Sequence, residues 1–208
     1  MVVKADRISG PAGVAIRRLR EWLAILAIFA VCVVLAAGGD ELRELGRYQR
    51  DAIENGEYWR LVSGHLVHLG FGHLWPNLAA LLVIGALFEG VFRNGDWWRA
   101  SIASAAAIDL GLYVLDPSVD WYVGLSGVLH GFVAAGALAL LLRQDMLGAA
   151  LAVGLGGKLL FEQIVGPVPF TAASVGGPVV VAAHLYGAAG GLLAETAAYI
   201  VRRRRTRV

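Results

Sequence analysis

The sequence predicts an all-helical protein that crosses a membrane several times. Three observations lead there. Hydrophobic residues make up 58% of the 208 positions and charged residues only 16%, against about 45–50% and about 25% in soluble domains. Mean hydropathy is +0.65. Several apolar runs approach or exceed the roughly 18 residues that mark a spanning helix. A disordered chain is excluded, because disorder needs low hydrophobicity and high net charge. The net charge of +2 argues against a nucleic-acid partner. The single cysteine, Cys32, lies in the first apolar run and excludes an intramolecular disulfide or a multi-cysteine metal site.

Six segments read as spans, at about 22–37, 73–92, 98–115, 125–142, 146–165 and 180–201. The first resembles a signal peptide in length, but the charged loop and the spans that follow it favour an uncleaved anchor. With six spans both termini share one side. That side collects 13 of the 18 basic residues: Lys4, Arg7, Arg17, Arg18, Arg20, Arg93, Arg99, Arg143 and the tail Arg202, Arg203, Arg204, Arg205 and Arg207. The other side has Arg43, Arg47, Arg50 and Arg60 among eight acids. The positive-inside rule therefore places residues 1–21 and the basic tail 202–208 in the cytoplasm. It places a structured loop, 38–72, outside, in a single domain covering 1–208. Arginines near anionic headgroups add about 1 kcal/mol each to the hold of the tail.

Polar residues inside spans are costly and mark function or specific pairing. His73 and Asn77 are four apart and share one helix face as two hydrogen-bond donors. Ser126 lies in Gly124-Leu125-Ser126-Gly127 at the start of the fourth span. Glycine on both sides permits a sharp turn and a close approach, and the free N–H groups of a first helical turn suit a developing oxyanion. His184 opens the sixth span, and Gly187 and Gly191 lie on its face as a small-residue groove for a partner helix. If that partner is the fourth span, His184 meets Ser126, and a serine needs such a base to become a nucleophile. No third acid is evident on that face, so a Ser–His dyad is expected. Lys158 and Glu162, four apart in the fifth span, read as a pair across one turn, structural or recognising a substrate tail. Asp109 reads as an interhelical partner and Glu195 as reaching water or an arginine. No metal site is expected: H-E-x-x-H is absent and the histidines are read as pairing with no carboxylate. No cofactor is expected.

In order along the chain, these pieces resemble the rhomboid intramembrane serine proteases. Trp59-Arg60 resembles the family's W-R motif, and His73-Leu74-Trp75-Pro76-Asn77 its H-x-x-x-N. Gly85 to Glu89 is similar to G-x-x-x-E, and Gly124 to Gly127 to G-x-S-G. Ala183-His184 with Gly187 and Gly191 is similar to A-H-x-x-G-x-x-x-G. The resemblance implies the six-helix rhomboid fold, Ser126 as nucleophile and His184 as general base. His73, Asn77 and the Ser126 N–H would form the oxyanion hole. Gly124, Gly127, Gly187 and Gly191 would support the site, and Arg60 and Glu89 the frame. Many rhomboids carry an aromatic residue four after the serine, where this chain has His130. Three readings of His130 are open: packing on His184, a core histidine between helices, or a second proton-transfer group.

The strings Tyr122 to Gly131, Lys158 to Pro167 and Gly177 to Gly187 resemble the rhombosortase branch, although Ala182 stands where that branch often has an acid. This implies exported substrates with a C-terminal sorting tail: Gly-Gly, a transmembrane helix and a basic cluster. It also implies a bacterial inner membrane, with the site toward the periplasm. Hydrolysis and transfer to another nucleophile are not separable from sequence. The alternatives are a rhomboid of broader substrate range, a non-catalytic binder of membrane helices, and a small transporter, which the lack of an internal repeat disfavours.

Overall fold

The computed structural model describes residues 11–169 and 176–205. Lys4, Arg7 and Arg207, and the side chains of Arg17 and Arg18, lie outside the described residues. Among the described residues the regular structure is helical but for one two-residue strand pair. Six helices carry the body: α1 (Pro11–Ala37), α5 (Phe71–Leu87), α6 (Asn94–Val114), α7 (Ser126–Leu141), α8 (Met146–Val165) and α9 (Val181–Arg205). Three short helices fill the loop between the first two: α2 (Gly39–Gly46), α3 (Arg50–Glu54) and α4 (Arg60–Ser63). By length and composition, Leu19–Ala37 and Met146–Val165 can cross a membrane; α5 and α7 are apolar but shorter.

The helix edges follow local chemistry. α5 stops at Leu87, short of the expected 92, because Gly90 turns the chain with φ +74° and Glu89 bridges to Phe92. α6 starts four residues before the expected 98, because Asp96 accepts from the Arg93 N–H at 2.9 Å and closes the first turn. α9 runs on through Arg205, with four arginines in its last turn, where cations favour the helix dipole. The edges of α7 and α8 fall within one residue of expectation.

α7 is the central helix, with 11 buried residues from Gly127 to Leu140. It packs most closely on α9, and glycines set that crossing. A Cβ on Gly187 would collide with the Gly127 carbonyl, and one on Gly191 with the Gly131 carbonyl. Near the middle of α7, Phe132 meets Trp97 edge to face at 5.1 Å, and Trp97 meets Phe92 at 4.8 Å. Such aromatic contacts add about 0.5–1.5 kcal/mol each beyond burial.

The loop between α1 and α5 is a built structure. β1 (Tyr48–Gln49) pairs antiparallel with β2 (Trp121–Tyr122), in register Tyr48 to Tyr122. Buried Arg60 donates to the carbonyls of Glu44 (2.8 Å) and Arg47 (2.9 Å) and pairs with Glu57 at 2.7 Å. Arg50 donates to the carbonyls of Leu112 (2.7 Å) and Tyr113 (3.1 Å) at the end of α6. The loop is thus bolted both to itself and to the helix before the serine.

Candidate active site

Ser126 is the first residue of α7, delivered there by a constrained turn. Gly124 has φ +116°, in the region that favours glycine, and its N–H donates to the Gly64 carbonyl at 2.9 Å. The Tyr122 hydroxyl donates to the Gly124 carbonyl at 2.7 Å. Burial pushes the Tyr122 phenol up, so it stays protonated and remains a donor. The glycine has a second role. A Cβ on Gly124 would lie 2.6 Å from Cε1 and 2.7 Å from Nε2 of His73, so a side chain there would displace that ring.

His184, buried in the first turn of α9, meets the serine. Its Nε2 lies 3.0 Å from Ser126 Oγ. Its Nδ1 lies 2.9 Å from Glu162 Oε2 on α8, and Glu162 Oε1 accepts from Lys158 Nζ at 2.6 Å. This corrects the expectation that the histidines pair with no carboxylate and that no acid reaches the face of the dyad. His65 makes a second such pair, its Nε2 3.1 Å from Asp109 Oδ1. Asp109 therefore has a partner, but in the turn after α4 and not on another helix as expected. Glu195 is held by Arg99 at 3.2 Å and by Arg202, the arginine alternative of its reading. The Lys158–Glu162 pair forms as read, but the sequence did not reveal its link to His184. The available signal was an acid in an apolar span, which requires a partner beyond its own turn.

His130 stacks on His184 with ring centroids 4.1 Å apart and planes 14° from parallel. Its Nδ1 lies 2.7 Å from the Ser126 carbonyl, which only accepts, so Nδ1 donates. Packing on His184 is the reading of His130 that this geometry matches. His130, Glu162 and His184 bring three ligand-type atoms within 4.8 Å of one another. Both nitrogens of His184 and both oxygens of Glu162 already have hydrogen-bond partners, and parallel stacked rings do not converge on one ion.

His73 and Asn77 face the serine from α5, both buried. The Leu69 N–H donates to His73 Nδ1 at 3.4 Å, which leaves the ring proton on Nε2, the nitrogen against Gly124. Asn77 gives one amide hydrogen to the His73 carbonyl at 2.8 Å and keeps a second. His68 stands edge to face with His73 at 4.9 Å. Burial, and then the neighbouring His73, hold the His68 imidazole low, at about 3.

Ser126, His184, His73, Asn77, His130 and Lys158 all line one cavity of about 630 Å³, walled by α5 on one side and α8 on the other. Of the residues expected at the site, Ser126, His184, His73, Asn77 and His130 line this cavity, Gly127, Gly187 and Gly191 form the glycine crossing, and Gly124 sits in the turn against His73. The arrangement offers a hydroxyl, a base and aligned donors within one recess.

Residues 55–202, more than half of the chain, match the Rhomboid domain family. The chain belongs to the rhomboid family. Among rhomboids, it is 26% identical over 141 residues to the putative rhomboid protease YdcA of Bacillus subtilis (strain 168), across 68% of this chain and 67% of that one. It is 35% identical over 97 residues to RHOMBOID-like protein 5 of Arabidopsis thaliana, covering 45% of this chain and 31% of the relative. It is 26% identical over 127 residues to the rhomboid protease GluP of Bacillus subtilis, covering 61% and 22%. The chain thus spans about two thirds of YdcA and under a third of the other two rhomboids. The rhomboid family is membrane-embedded, in keeping with the apolar helices.

Proposed function

We propose that this rhomboid is an intramembrane serine protease, with Ser126 as nucleophile and His184 as general base. The observation that carries the reading is the 3.0 Å contact between Ser126 Oγ and His184 Nε2 in a recess lined by further donors. A nucleophile and base at that distance are set for proton transfer. Ser126 Oγ attacks the substrate carbonyl carbon as its proton passes to His184 Nε2. The electron pair moves to the carbonyl oxygen, which meets His73 Nε2–H, the free Asn77 amide hydrogen and the Ser126 N–H. Collapse breaks the C–N bond, and His184 returns the proton to the leaving amine. Water, activated by the same imidazole, then releases the acyl group. Each oxyanion donor contributes about 2.7–4 kcal/mol in comparable enzymes.

In this proposal six helices cross the bacterial inner membrane, both termini are cytoplasmic and the site opens toward the periplasm. The substrate is a membrane protein whose C-terminal tail carries Gly-Gly, a transmembrane helix and a basic cluster. Resemblance to the rhombosortase branch supports that tail. So does physics: each glycine lowers the penalty for leaving a helix by about 1 kcal/mol relative to Ala, and the peptide must be extended to reach Ser126.

The test is cleavage of a reporter carrying such a tail, co-expressed with the wild type and variants. Ser126→Ala and His184→Ala should abolish product. His73→Ala should lower kcat by about 10²–10³-fold, the usual effect of losing one oxyanion donor. His130→Tyr, which restores a flat ring over His184, should keep activity. Product that persists with Ser126→Ala would refute the assignment. Cleavage of an unrelated single-span substrate, with the Gly-Gly reporter left intact, would replace the sorting role with a broader protease.

A further inference from the structure

The mechanism above gives no part to the carboxylate beside it. α8 is apolar over most of its length, and its buried residues are Gly148 and Glu162. The glycine is buried because α7 presses on it: a Cβ there would lie 2.6 Å from the Leu141 nitrogen. The one sizeable side chain that α8 buries is therefore an acid, with none of its surface exposed.

Glu162 divides its two oxygens. Oε1 takes the Lys158 ammonium at 2.6 Å, one turn away on α8, and Oε2 takes His184 Nδ1 at 2.9 Å across the gap to α9. An ion pair confined to α8 would not need the second contact. The lysine keeps partial exposure toward the cavity and supplies the counter-charge that a carboxylate requires in this apolar setting. A carboxylate only accepts, so His184 Nδ1 must be the donor and Nε2 must hold the lone pair. Nε2 is the nitrogen that faces Ser126 Oγ. Glu162 therefore selects the one neutral tautomer of His184 that can take the serine proton.

We infer that Glu162 is the positioning residue of a Ser126–His184–Glu162 relay, with Lys158 as its counter-ion. The inference rests on the protease reading above. The serine proton moves to His184 Nε2 and no further. Nδ1–H stays on the ring, Glu162 remains a carboxylate, and its charge offsets the imidazolium while the tetrahedral species exists. When the leaving amine takes the proton from Nε2, the relay is restored with no net change.

The test measures kcat and KM on a Gly-Gly reporter with purified full-length protein, and melting temperature in the same detergent. Glu162→Gln should lower kcat by up to about 10⁴-fold, the loss seen when the acid of a serine-protease triad is neutralised, with KM held within about twofold. A second variant guards against misfolding. Lys158→Met with Glu162→Met replaces both charges by apolar chains, a change that tends to preserve or raise stability. It should lose kcat to the same degree while melting at or above the wild-type temperature. A folded Glu162→Gln or double-Met protein with wild-type kcat would overturn the relay while leaving the Ser126–His184 protease intact. Cleavage that survives Ser126→Ala would overturn both.

Discussion

Three histidines around Ser126 have their ring proton placed by a neighbour. Glu162 puts it on Nδ1 of His184, the Ser126 carbonyl puts it on Nδ1 of His130, and the Leu69 N–H leaves it on Nε2 of His73. Each ring is thereby assigned a direction: one accepts from the serine, one stacks, and one turns its N–H toward Gly124, where the proposed mechanism puts the oxyanion. His68 completes the group and is sensitive to acid. Its imidazole is held from an ordinary 6.5 down to about 3, chiefly by burial. The folded protein therefore resists a proton that the unfolded chain accepts. Stability from this site is full above pH 6.5 and is lost as pH falls toward about 3. Melting in detergent between pH 7 and 4 should fall more steeply for the wild type than for His68→Gln; parallel curves would refute the assignment. Ser126, His184, His73 and Asn77 were legible in sequence because each lies in a short local string. Glu162 was legible only in part. Its partner on α8 follows from i, i+4 spacing, but the oxygen turned to His184 depends on how α8 crosses α9, which no spacing encodes.

At the level of elements, α7 and α9 meet through glycines, and that close crossing brings His184 to Ser126. Gly187 faces the Gly127 carbonyl and Gly191 the Gly131 carbonyl, with no room for a methyl group at either contact. Gly187→Ala should force the helices apart. Overpacking of this kind destabilises by about 1–3 kcal/mol, and a shift of about 1 Å at a reacting pair lowers rate by roughly 10²-fold. A melting scan and a cleavage assay on Gly187→Ala would read both, and a variant with wild-type rate and melting temperature would contradict the crossing. This face was readable from the offsets of three and seven after His184. Helix ends were less so. The 73–92 run continues apolar past Leu87, and hydropathy alone missed the turn at Gly90. The start of α6 was hidden because the Asp96 contact that closes it is polar and lies before the apolar run.

On the scale of the whole molecule, charge and packing divide the protein into two ends. The end with Ser126 carries the strand pair and the Arg60 and Arg50 anchors; the other carries the aromatic cluster and the arginines of α9. Reporter enzymes that work only in the periplasm or only in the cytoplasm, fused after Arg143 and after Arg205, should both report cytoplasm, while an insertion at Gly56 should report periplasm. The reverse pattern would refute the proposed orientation. Charge asymmetry is the observation on which this proposed side assignment rests. The span count was less accessible, because α5 and α7 are short and α6 and α9 carry charges within their length. The loop frame is fixed to α6 and to the strand before Ser126, whereas α8 buries only Gly148 and Glu162. Of the two cavity walls, α5 buries seven residues and α8 two, so the wall that buries fewer of its side chains carries the acid. In the proposed protease, an outward swing of α8 would widen the cavity and withdraw the carboxylate from His184 in the same stroke. Such a molecule would be an interlock: ajar, it would admit a helix with the serine disarmed, and only shutting would cock it.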